Sequence, residues 1–325
     1  MNQTFNIIKR IKIKKDKYNI ITFDTHERCQ SELAKTGHNF YAFRYDGCKV
    51  WNTTFAKIPN NYYIMPKNQI SRGIDFDFIL SQSKFGQLQI AKQIQQSFNI
   101  PIISVEHTIP TKDLSIQQVQ AMKNLRGDIN VFITEYAKQQ WGYPGYIVEN
   151  AVDYETFKPT CDEDDNKYIL SIVNDFVKRD YCCNYLGWKR VTENLPVKLL
   201  GDTPGLSEPA KSIEELVNEY NKCAVFFNSS TESQIPTVLI EAMACGKPVV
   251  STATCSIPSF VTHGETGFLS NDENELRKYL ELLLKSPDLR KEMGQKARES
   301  IMKRFSYDKF IKNWNNIFNM AYGEN

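Results

Sequence analysis

The chain lacks the residues that several common kinds of site require. It has four histidines among 325 residues, and none of its eight cysteines forms a C-x-x-C pair. These scarcities argue against a zinc site and favour reduced, packing cysteines. No apolar run approaches the ~18 residues of a membrane span. Lysines interrupt the apolar N-terminus, so no signal-peptide core is recognisable there. We therefore predict a cytoplasmic protein without a bound metal ion.

The chain also has little net charge, because its basic and acidic residues nearly balance to a formal net charge of +2. This gives no broad electrostatic footprint for nucleic acid, although it leaves room for a local basic patch. Apolar and basic residues alternate over residues 5–16. That pattern fits an edge strand whose lysines discourage pairing, and it also fits contact with a membrane surface.

What is present is an alternation of apolar runs with amphipathic segments. The length suits two domains rather than one core. Strands are predicted from Tyr18–Phe23 to Ile129–Thr134 in the first half, and the pattern restarts at Tyr168–Val173. Strands that alternate with helices indicate a parallel, doubly wound α/β sheet in each half.

The most informative stretch runs from Glu232 to Val250. Pro236 suits the first position of a helix, and Gly246 suits the residue just past its end. A helix that begins beside a sheet offers unpaired N–H groups and a positive dipole end to a phosphate. Glu241 lies a little more than one turn inside this helix, where its carboxylate could reach a sugar hydroxyl.

This stretch resembles the donor-binding motif of retaining glycosyltransferases with the GT-B fold, the family 4-like glycosyl transferases group 1. Glu241 matches the second glutamate of the family motif, whereas the first falls on Ser233 instead of Glu232. Either Glu232 shifts into that role, or Ser233 and Gln234 serve the sugar hydroxyls.

Further segments carry the same resemblance. Residues 149–159 are similar to the family's interdomain segment, and residues 264–269 match a family turn. The resemblance implies two Rossmann-like domains with a cleft between them. These are an acceptor-side domain over residues 1–155 and a nucleotide-sugar-binding domain over residues 156–305. A last helix over residues 306–325 is expected to cross back to the first domain, and residues 161–167 are expected to form an exposed connection.

The resemblance also assigns a clamp for the donor diphosphate. Arg179 takes the place of the family lysine, and Lys178 is its neighbour, but Asp175 replaces the family arginine. Lys178, Lys189 or Arg190 could compensate for that loss. The remaining donor contacts are expected from Gly201 and Asp202 beside the base, from Ser233 and Gln234 at the sugar, from the backbone of Ile235, Pro236 and Thr237 at the phosphates, and from Glu241 at the ribose.

On the acceptor side, His107 resembles the family histidine near the sugar. Thr25 and His26 end the first strand and are acceptor-side candidates. Asp75 and Asp77 match the D-x-D metal motif of the other glycosyltransferase fold, GT-A, but the remaining motifs favour GT-B. We therefore expect no metal, no cofactor and no catalytic carboxylate pair, because the family is thought to use the leaving phosphate as the base.

The resulting hypothesis is a glycosyltransferase that moves a sugar from a nucleotide-sugar donor to an acceptor hydroxyl with retention of configuration. The expected acceptor is a glycan, a lipid or modified DNA. Modified DNA is included because the Lys- and Asn-rich composition suggests a viral or phage-type enzyme. Two other hypotheses stay open, namely a sugar-nucleotide epimerase and a non-catalytic sugar-nucleotide binder.

Overall fold

A computed structural model describes residues 15–54, 56–84, 86–110, 112, 114–160 and 168–323. The chain divides into two compact units, Met1–Asn150 with Asp308–Asn325, and Ala151–Tyr307. The predicted basic strand over residues 5–16 lies, apart from its last two residues, outside the described residues. The predicted connection over residues 161–167 lies outside them as well.

The first unit is built on a parallel sheet. Its described strands are β1 (Asn19–Thr22), β2 (Asn39–Ala42), β3 (Tyr62–Ile64), β4 (Phe78–Ser81), β5 (Ile102–Glu106), β6 (Ile129–Phe132) and β7 (Tyr146–Ile147). They lie in the order β3-β2-β1-β4-β5-β6-β7, and each pair is parallel. β4 and most of β1 are buried, as apolar runs in a covered parallel sheet require.

Helices follow the strands of this unit. They are α1 (Glu27–Ala34), α2 (Gln87–Phe98), α3 (Ile116–Asn124) and α4 (Glu135–Trp141). The chain leaves β1 toward β2 on one side and later enters β4 on the other side. The carboxyl ends of β1 and β4 therefore form a topological switch point, where open α/β sheets bind ligands.

The second unit repeats the plan with a smaller sheet. Its described strands are β8 (Ile169–Ile172), β9 (Val197–Leu200), β10 (Val225–Asn228), β11 (Val249–Ser251) and β12 (Gly267–Leu269). The order is β12-β11-β10-β8-β9, and all pairs are parallel. The switch point here lies between β8 and β10. The predicted doubly wound α/β architecture is thus confirmed in each unit.

Helices of the second unit are α5 (Asp180–Cys183), α6 (Tyr185–Val191), α7 (Ile213–Lys222), α8 (Thr237–Ala244), α9 (Glu273–Lys285) and α10 (Pro287–Arg304). α8 and α10 pack closely. At Gly294 of α10, an added Cβ would lie only 1.9 Å from the carbonyl oxygen of Gly246, which follows α8. Gly246 itself has φ +73°, as expected of a glycine just past a helix end.

The helix of the donor motif begins one residue later than predicted. Pro236 is not the first helical residue but the N-cap, with φ −64° and ψ 112°. Its carbonyl oxygen accepts from the backbone N–H groups of Leu239 and Ile240, as the oxygen of a capping residue does. The first helical residue is Thr237.

The last helix, α11 (Tyr307–Tyr322), belongs from Asp308 onward to the first unit. Its Phe318 ring stacks on Phe78 of β4, with ring centroids 5.4 Å apart. The Tyr18 hydroxyl donates to Asn319 Oδ1 at 2.9 Å. Burial of these aromatic rings anchors the helix to the sheet of the first unit.

Candidate functional site

The first switch point gathers polar side chains from three strand ends. Thr25 and His26 follow β1, Gln82 follows β4, and His107 follows β5. Because these strands are parallel neighbours, their carboxyl ends lie at one edge of the sheet. The sequence predicted Thr25, His26 and His107 for this edge, and the structure adds Gln82.

A chain of hydrogen bonds connects these residues. Gln87, the first residue of α2, donates from Nε2 to Thr25 Oγ1 at 2.8 Å and accepts at Oε1 from the backbone N–H of Gln82 at 3.1 Å. Gln82 Oε1 then lies 3.1 Å from His107 Nε2. Gln82 was findable by the rule that found His107, since it also follows a predicted strand. Nothing in the sequence pattern singled out Gln87.

Gln82 turns its amide oxygen toward Nε2 of His107. An amide oxygen only accepts hydrogen bonds, so Nε2 of the imidazole carries the hydrogen in this arrangement. Nδ1 of the neutral ring then has a lone pair. A neutral His107 can accept a hydrogen bond from a hydroxyl of a ligand through that nitrogen.

Both histidines of this edge resist protonation. Burial, with a smaller contribution from His26, lowers the pKa of His107 to about 4. Removal of water by surrounding protein atoms, and then the positive charges of Arg28 and Lys49, lower the pKa of His26 to about 4. Desolvation and nearby like charge both disfavour an imidazolium. At neutral pH the edge therefore presents two uncharged imidazoles.

The second switch point places a cation beside the donor motif. Arg179 immediately precedes α5, whose last two residues are Cys182 and Cys183. The carbonyl oxygen of Cys182 accepts from the backbone N–H groups of Thr231 and Glu232 at 2.9 and 3.2 Å. The short helix α5 thus ties the residue before it to the loop that leads into the motif. Sequence reasoning missed this helix.

The predicted clamp cations are exposed. Lys178 Nζ lies 3.6 Å from Asp175 Oδ1, and the lysine side chain is 80% exposed. Arg179 Nη1 lies 3.5 Å from the carbonyl oxygen of Asn174, a contact at the long limit of a hydrogen bond. Arg190, suggested as a substitute, instead donates to both carboxylate oxygens of Glu273, at 2.8 and 2.6 Å.

The turn predicted to lie beside the base is tightly built. Gly201 has φ +115°, and a Cβ there would lie 2.1 Å from the carbonyl oxygen of Val173. Asp202 donates its backbone N–H to Asn174 Oδ1 at 2.9 Å, and its carbonyl oxygen accepts from Asp175 N at 2.7 Å. Only glycine fits at 201 without displacing the β8 end.

The residues of the donor motif differ in accessibility. Gln234, Ile235 and Glu241 are buried, Ser233 is partly exposed and Thr237 is exposed. The carboxylate of Glu241 is 2.9 Å from the Tyr220 hydroxyl, which donates to it. The carboxylate predicted to hold the ribose is therefore buried and hydrogen-bonded within the second unit.

The D-x-D sequence of the first unit has structural partners. Lys15 Nζ lies 2.8 Å from Asp75 Oδ2 and 2.7 Å from Asp77 Oδ1, and Asp77 Oδ2 accepts from the backbone N–H of Asn19 at 2.9 Å. Both carboxylates stand at the amino end of β4, away from the switch point. Within the described residues no group of three or more His, Cys, Asp or Glu side chains is arranged to hold a metal.

None of the described helices combines the length and apolar character needed to cross a bilayer.

Comparison with known families matches residues 209–300 to the model of glycosyl transferases group 1. The match covers α7, β10, the donor motif with α8, β11, β12, α9 and most of α10. It includes Ser233, Gln234 and Glu241, and ends before the last helix.

Relatives of known sequence agree with this match. An uncharacterized glycosyltransferase of Methanocaldococcus jannaschii is 24% identical to this chain, and the match covers 94% of this chain and 90% of that protein. Trehalose synthase of Pyrococcus horikoshii is 32% identical over 42% of this chain and 31% of its own length. The N-acetyl-alpha-D-glucosaminyl L-malate synthase of Bacillus anthracis is 35% identical over 27% of this chain and 24% of its own. The chain thus matches a third or less of the two relatives whose reactions are named.

Solved structures share the fold over nearly the full chain. Sucrose-phosphate synthase of Thermosynechococcus elongatus superposes with a TM-score of 0.71 at 14% identity, covering 95% of this chain and all of that one. Anabaena HepE, solved in complex with UDP and glucose, gives a TM-score of 0.69 at 15% identity, with 93% of this chain and 100% of that chain covered. At such identities the likeness establishes the fold.

Together these findings show a GT-B fold over nearly the whole chain and a likeness to glycosyltransferases. Its second unit carries the glycosyl transferases group 1 region.

Proposed function

We propose that this protein transfers a sugar from a nucleotide-sugar donor to a hydroxyl of an acceptor. The observation that carries the proposal is the placement of Arg179 beside the loop that leads into the group 1 donor motif. α5 joins the two through the Cys182 carbonyl oxygen. HepE, whose fold this chain shares, has been solved with UDP-glucose, which supports a nucleotide-sugar donor.

The donor diphosphate is the leaving group of such a transfer, so negative charge grows on it in the transition state. Arg179 supplies a mobile positive charge, and the N-terminal end of α8 supplies N–H groups at Thr237 and after it. Donors and cations aimed at developing charge are the largest contributors to many enzymatic rate enhancements. Gly201 and Asp202 are proposed to lie beside the base, and Glu241 to hold the ribose.

The histidine edge of the first unit is proposed to receive the acceptor. His107 and His26 are neutral at physiological pH, and the Gln82 contact leaves Nδ1 of His107 as an acceptor. Such groups suit a neutral hydroxyl better than an anionic one. Thr25, held by Gln87, is proposed to help orient the acceptor.

The finer features of the transfer follow from the motif resemblance. We propose retention of anomeric configuration, with the leaving phosphate as the base and without a metal or cofactor, in a cytoplasmic protein. The acceptor classes to be tested are glycans, lipid-linked sugars and modified DNA.

The experiment is an incubation of the purified protein with a panel of nucleotide sugars and acceptors, with EDTA present in a parallel arm. Mass spectrometry identifies a glycosylated product, and NMR of its anomeric proton gives the configuration. A glycosylated acceptor with released nucleoside diphosphate supports the proposal. Epimerised donor without transfer would instead favour an epimerase.

One structural feature keeps a non-catalytic binder as the second candidate. Asp175, whose φ is +52°, stands where the family has an arginine, so this position offers a carboxylate and not a cation to a diphosphate. Saturable binding of a nucleoside diphosphate, with neither transfer nor donor hydrolysis across the panel, would support that candidate.

A further inference from the structure

A buried ion pair lies directly behind the histidine edge of the first unit. Lys84 Nζ is 2.7 Å from Glu106 Oε1, and both side chains are almost fully enclosed, at 3% and 2% exposed. Lys84 follows β4 by three residues, and Glu106 is the last residue of β5. The pair therefore links the ends of the two strands that carry Gln82 and His107.

The two charges have further partners. Glu106 Oε1 accepts from the Tyr143 hydroxyl at 2.9 Å and from Ser104 Oγ at 3.2 Å. Lys84 donates to the carbonyl oxygen of Leu125 at 2.7 Å. Its ammonium group also lies 5.0 Å from the centre of the Trp141 ring. The cluster thus joins β4, β5, the end of α3 and α4.

Stability alone is a weak reason for such a pair. Two charges pay a large desolvation cost when buried, and a neutral, well-packed replacement is often equally stable or more so. Lys84 is also too enclosed to contact a substrate, so a direct chemical role is excluded in this conformation. What a buried ion pair does provide is a fixed geometry for the segments that bear it.

The segments fixed here are those of the candidate site. Glu106 is the residue before His107, and Lys84 is two residues after Gln82. On the other side of His107, the carbonyl oxygen of Thr108 accepts from Trp141 Nε1 at 2.8 Å. His107 is therefore held on both sides by residues of one cluster, and its ring partner Gln82 is held by the same cluster.

We propose that the Lys84–Glu106 pair positions His107 against Gln82, so that the imidazole keeps its Nε2 hydrogen on Gln82 and presents Nδ1 to the ligand. This proposal rests on the proposed function for its effect on turnover. Its effect on His107 itself is independent of any activity.

The second unit offers a matched control. Lys198 Nζ lies 2.7 Å from Glu219 Oε2, and that same oxygen accepts from the Tyr168 hydroxyl at 2.7 Å. Lys198 also lies 6.0 Å from the Tyr168 ring centre. This Lys–Glu–Tyr cluster has the same chemistry, although Lys198 is more exposed, and it stands at no predicted site residue.

The test compares Lys84→Met/Glu106→Gln with Lys198→Met/Glu219→Gln. Each double variant removes both charges and leaves no unpaired charge behind. The pKa of His107 is measured by NMR titration of histidine ring protons, with a His107→Asn variant to assign its signal. The chain has only four histidines, so the signals are few. Thermal unfolding is recorded alongside.

We expect the first double variant to raise the pKa of His107 by about one unit toward its ordinary value near 6.5, because a loosened ring gains water. Turnover should fall roughly ten-fold, since a ten-fold change in rate and a shift of one pKa unit correspond to the same free energy. The control should leave the His107 titration in place and change turnover less than about two-fold. A first variant that folds, with native His107 titration, would overturn the proposal.

A milder pair of variants decides the matter if the double variant does not fold. Tyr143→Phe removes one hydrogen bond to Glu106 and keeps the ring under Lys84, and Tyr168→Phe is its counterpart. A His107 shift in the same direction, seen only with Tyr143→Phe, supports the proposal, and equal titrations overturn it. If His107 shifts but no sugar transfer is found in any variant, the positioning role stands while the proposed function fails.

Discussion

The two switch points of this protein have the same topology and opposite chemistry. In the first unit, uncharged side chains that follow β1, β4 and β5 form a continuous hydrogen-bonded chain from Thr25 to His107. In the second, the exposed cations Lys178 and Arg179 follow β8, and α5 after them accepts hydrogen bonds from the loop that precedes α8.

Under the proposed function, this difference adapts one fold plan to two binding tasks. A hydrogen-bonded chain of neutral side chains suits a hydroxyl, whose recognition depends on direction. An edge with exposed cations suits a diphosphate, whose recognition depends on charge. Fold alone predicts only that each edge binds a ligand.

The largest effect is expected from removing charge at the second edge. Arg179→Ala should lower turnover by roughly 100-fold or more, because the lost group stabilises the developing charge of the leaving phosphate. The free energy of unfolding should change by only about 0.5 kcal/mol, as is usual for exposed side chains. Steady-state kinetics with a thermal unfolding control measures both.

Lys178→Ala is the matched comparison for Arg179→Ala. We expect a much smaller loss of turnover, since Lys178 extends into solvent beside Asp175. If Lys178→Ala abolishes activity while Arg179→Ala retains it, the clamp has been assigned one residue too far along the loop.

Glu241→Ala should weaken binding of the nucleoside diphosphate, since a charged hydrogen bond to the ribose is lost. Such bonds are commonly worth about 1.5–3 kcal/mol. Calorimetry gives the affinity. Tyr220→Phe removes the hydroxyl that donates to this carboxylate and should leave the affinity closer to wild type. Unchanged affinity in a folded Glu241→Ala protein would mean that the nucleotide has been misplaced.

Donor selectivity distinguishes the two assignments of the altered motif. If Ser233 and Gln234 line the sugar pocket, Ser233→Ala should change the ranking of nucleotide sugars and Glu232→Gln should not. A serine and an amide offer donors and acceptors together, whereas a carboxylate only accepts. Donor profiling of both variants decides it, and the reverse pattern would assign the role to Glu232.

The smallest expected effect is the contribution of His38 to the loss of stability of the first unit at acid pH. His38 Nδ1 accepts from the backbone N–H of Tyr18 at 3.2 Å. Burial lowers the pKa of His38 despite the opposing effects of Asn315 and Asp77, and Lys17 lowers it further. The unfolded state therefore binds the proton more readily than the folded state does. The His38 contribution to stability is complete above about pH 6.5 and is lost as the pH falls below it.

This is measured as the unfolding midpoint in denaturant between pH 7.5 and 5. His38→Asn, which retains a polar side chain but does not titrate there, should show a shallower decline than wild type. Equal slopes for the two proteins would assign the acid sensitivity to other groups.

Much of the fold could be predicted because the strands of a buried parallel sheet consist of short apolar runs in the sequence. The strands predicted over Tyr18–Phe23, Ile129–Thr134 and Tyr168–Val173 correspond to β1, β6 and β8, each of which is observed two residues shorter. The start of α8 was placed one residue early, because a proline at the N-cap and one at the first helical position have the same φ. They differ in ψ, which the sequence does not specify.

The part of the site that could not be predicted consists of long-range contacts. Gln87 reaches Thr25 across 62 positions of sequence, and no local pattern encodes such a pairing. Lysine and glutamate are residue types typical of a solvated surface, yet the side chains of Lys84 and Glu106 are both enclosed. α5 is a single turn with no hydrophobic period to reveal it. The strand ends were predictable, and the bonds between them were not.

The central claim is a division of labour between the two edges, and one calorimetric comparison tests it most directly. UDP and other nucleoside diphosphates are titrated into wild type, Arg179→Ala and His107→Asn, and transfer is assayed in the same preparations. The account predicts that Arg179→Ala weakens nucleotide binding, whereas His107→Asn binds as wild type does and loses transfer. Loss of nucleotide affinity in His107→Asn, with unchanged affinity in Arg179→Ala, would contradict it.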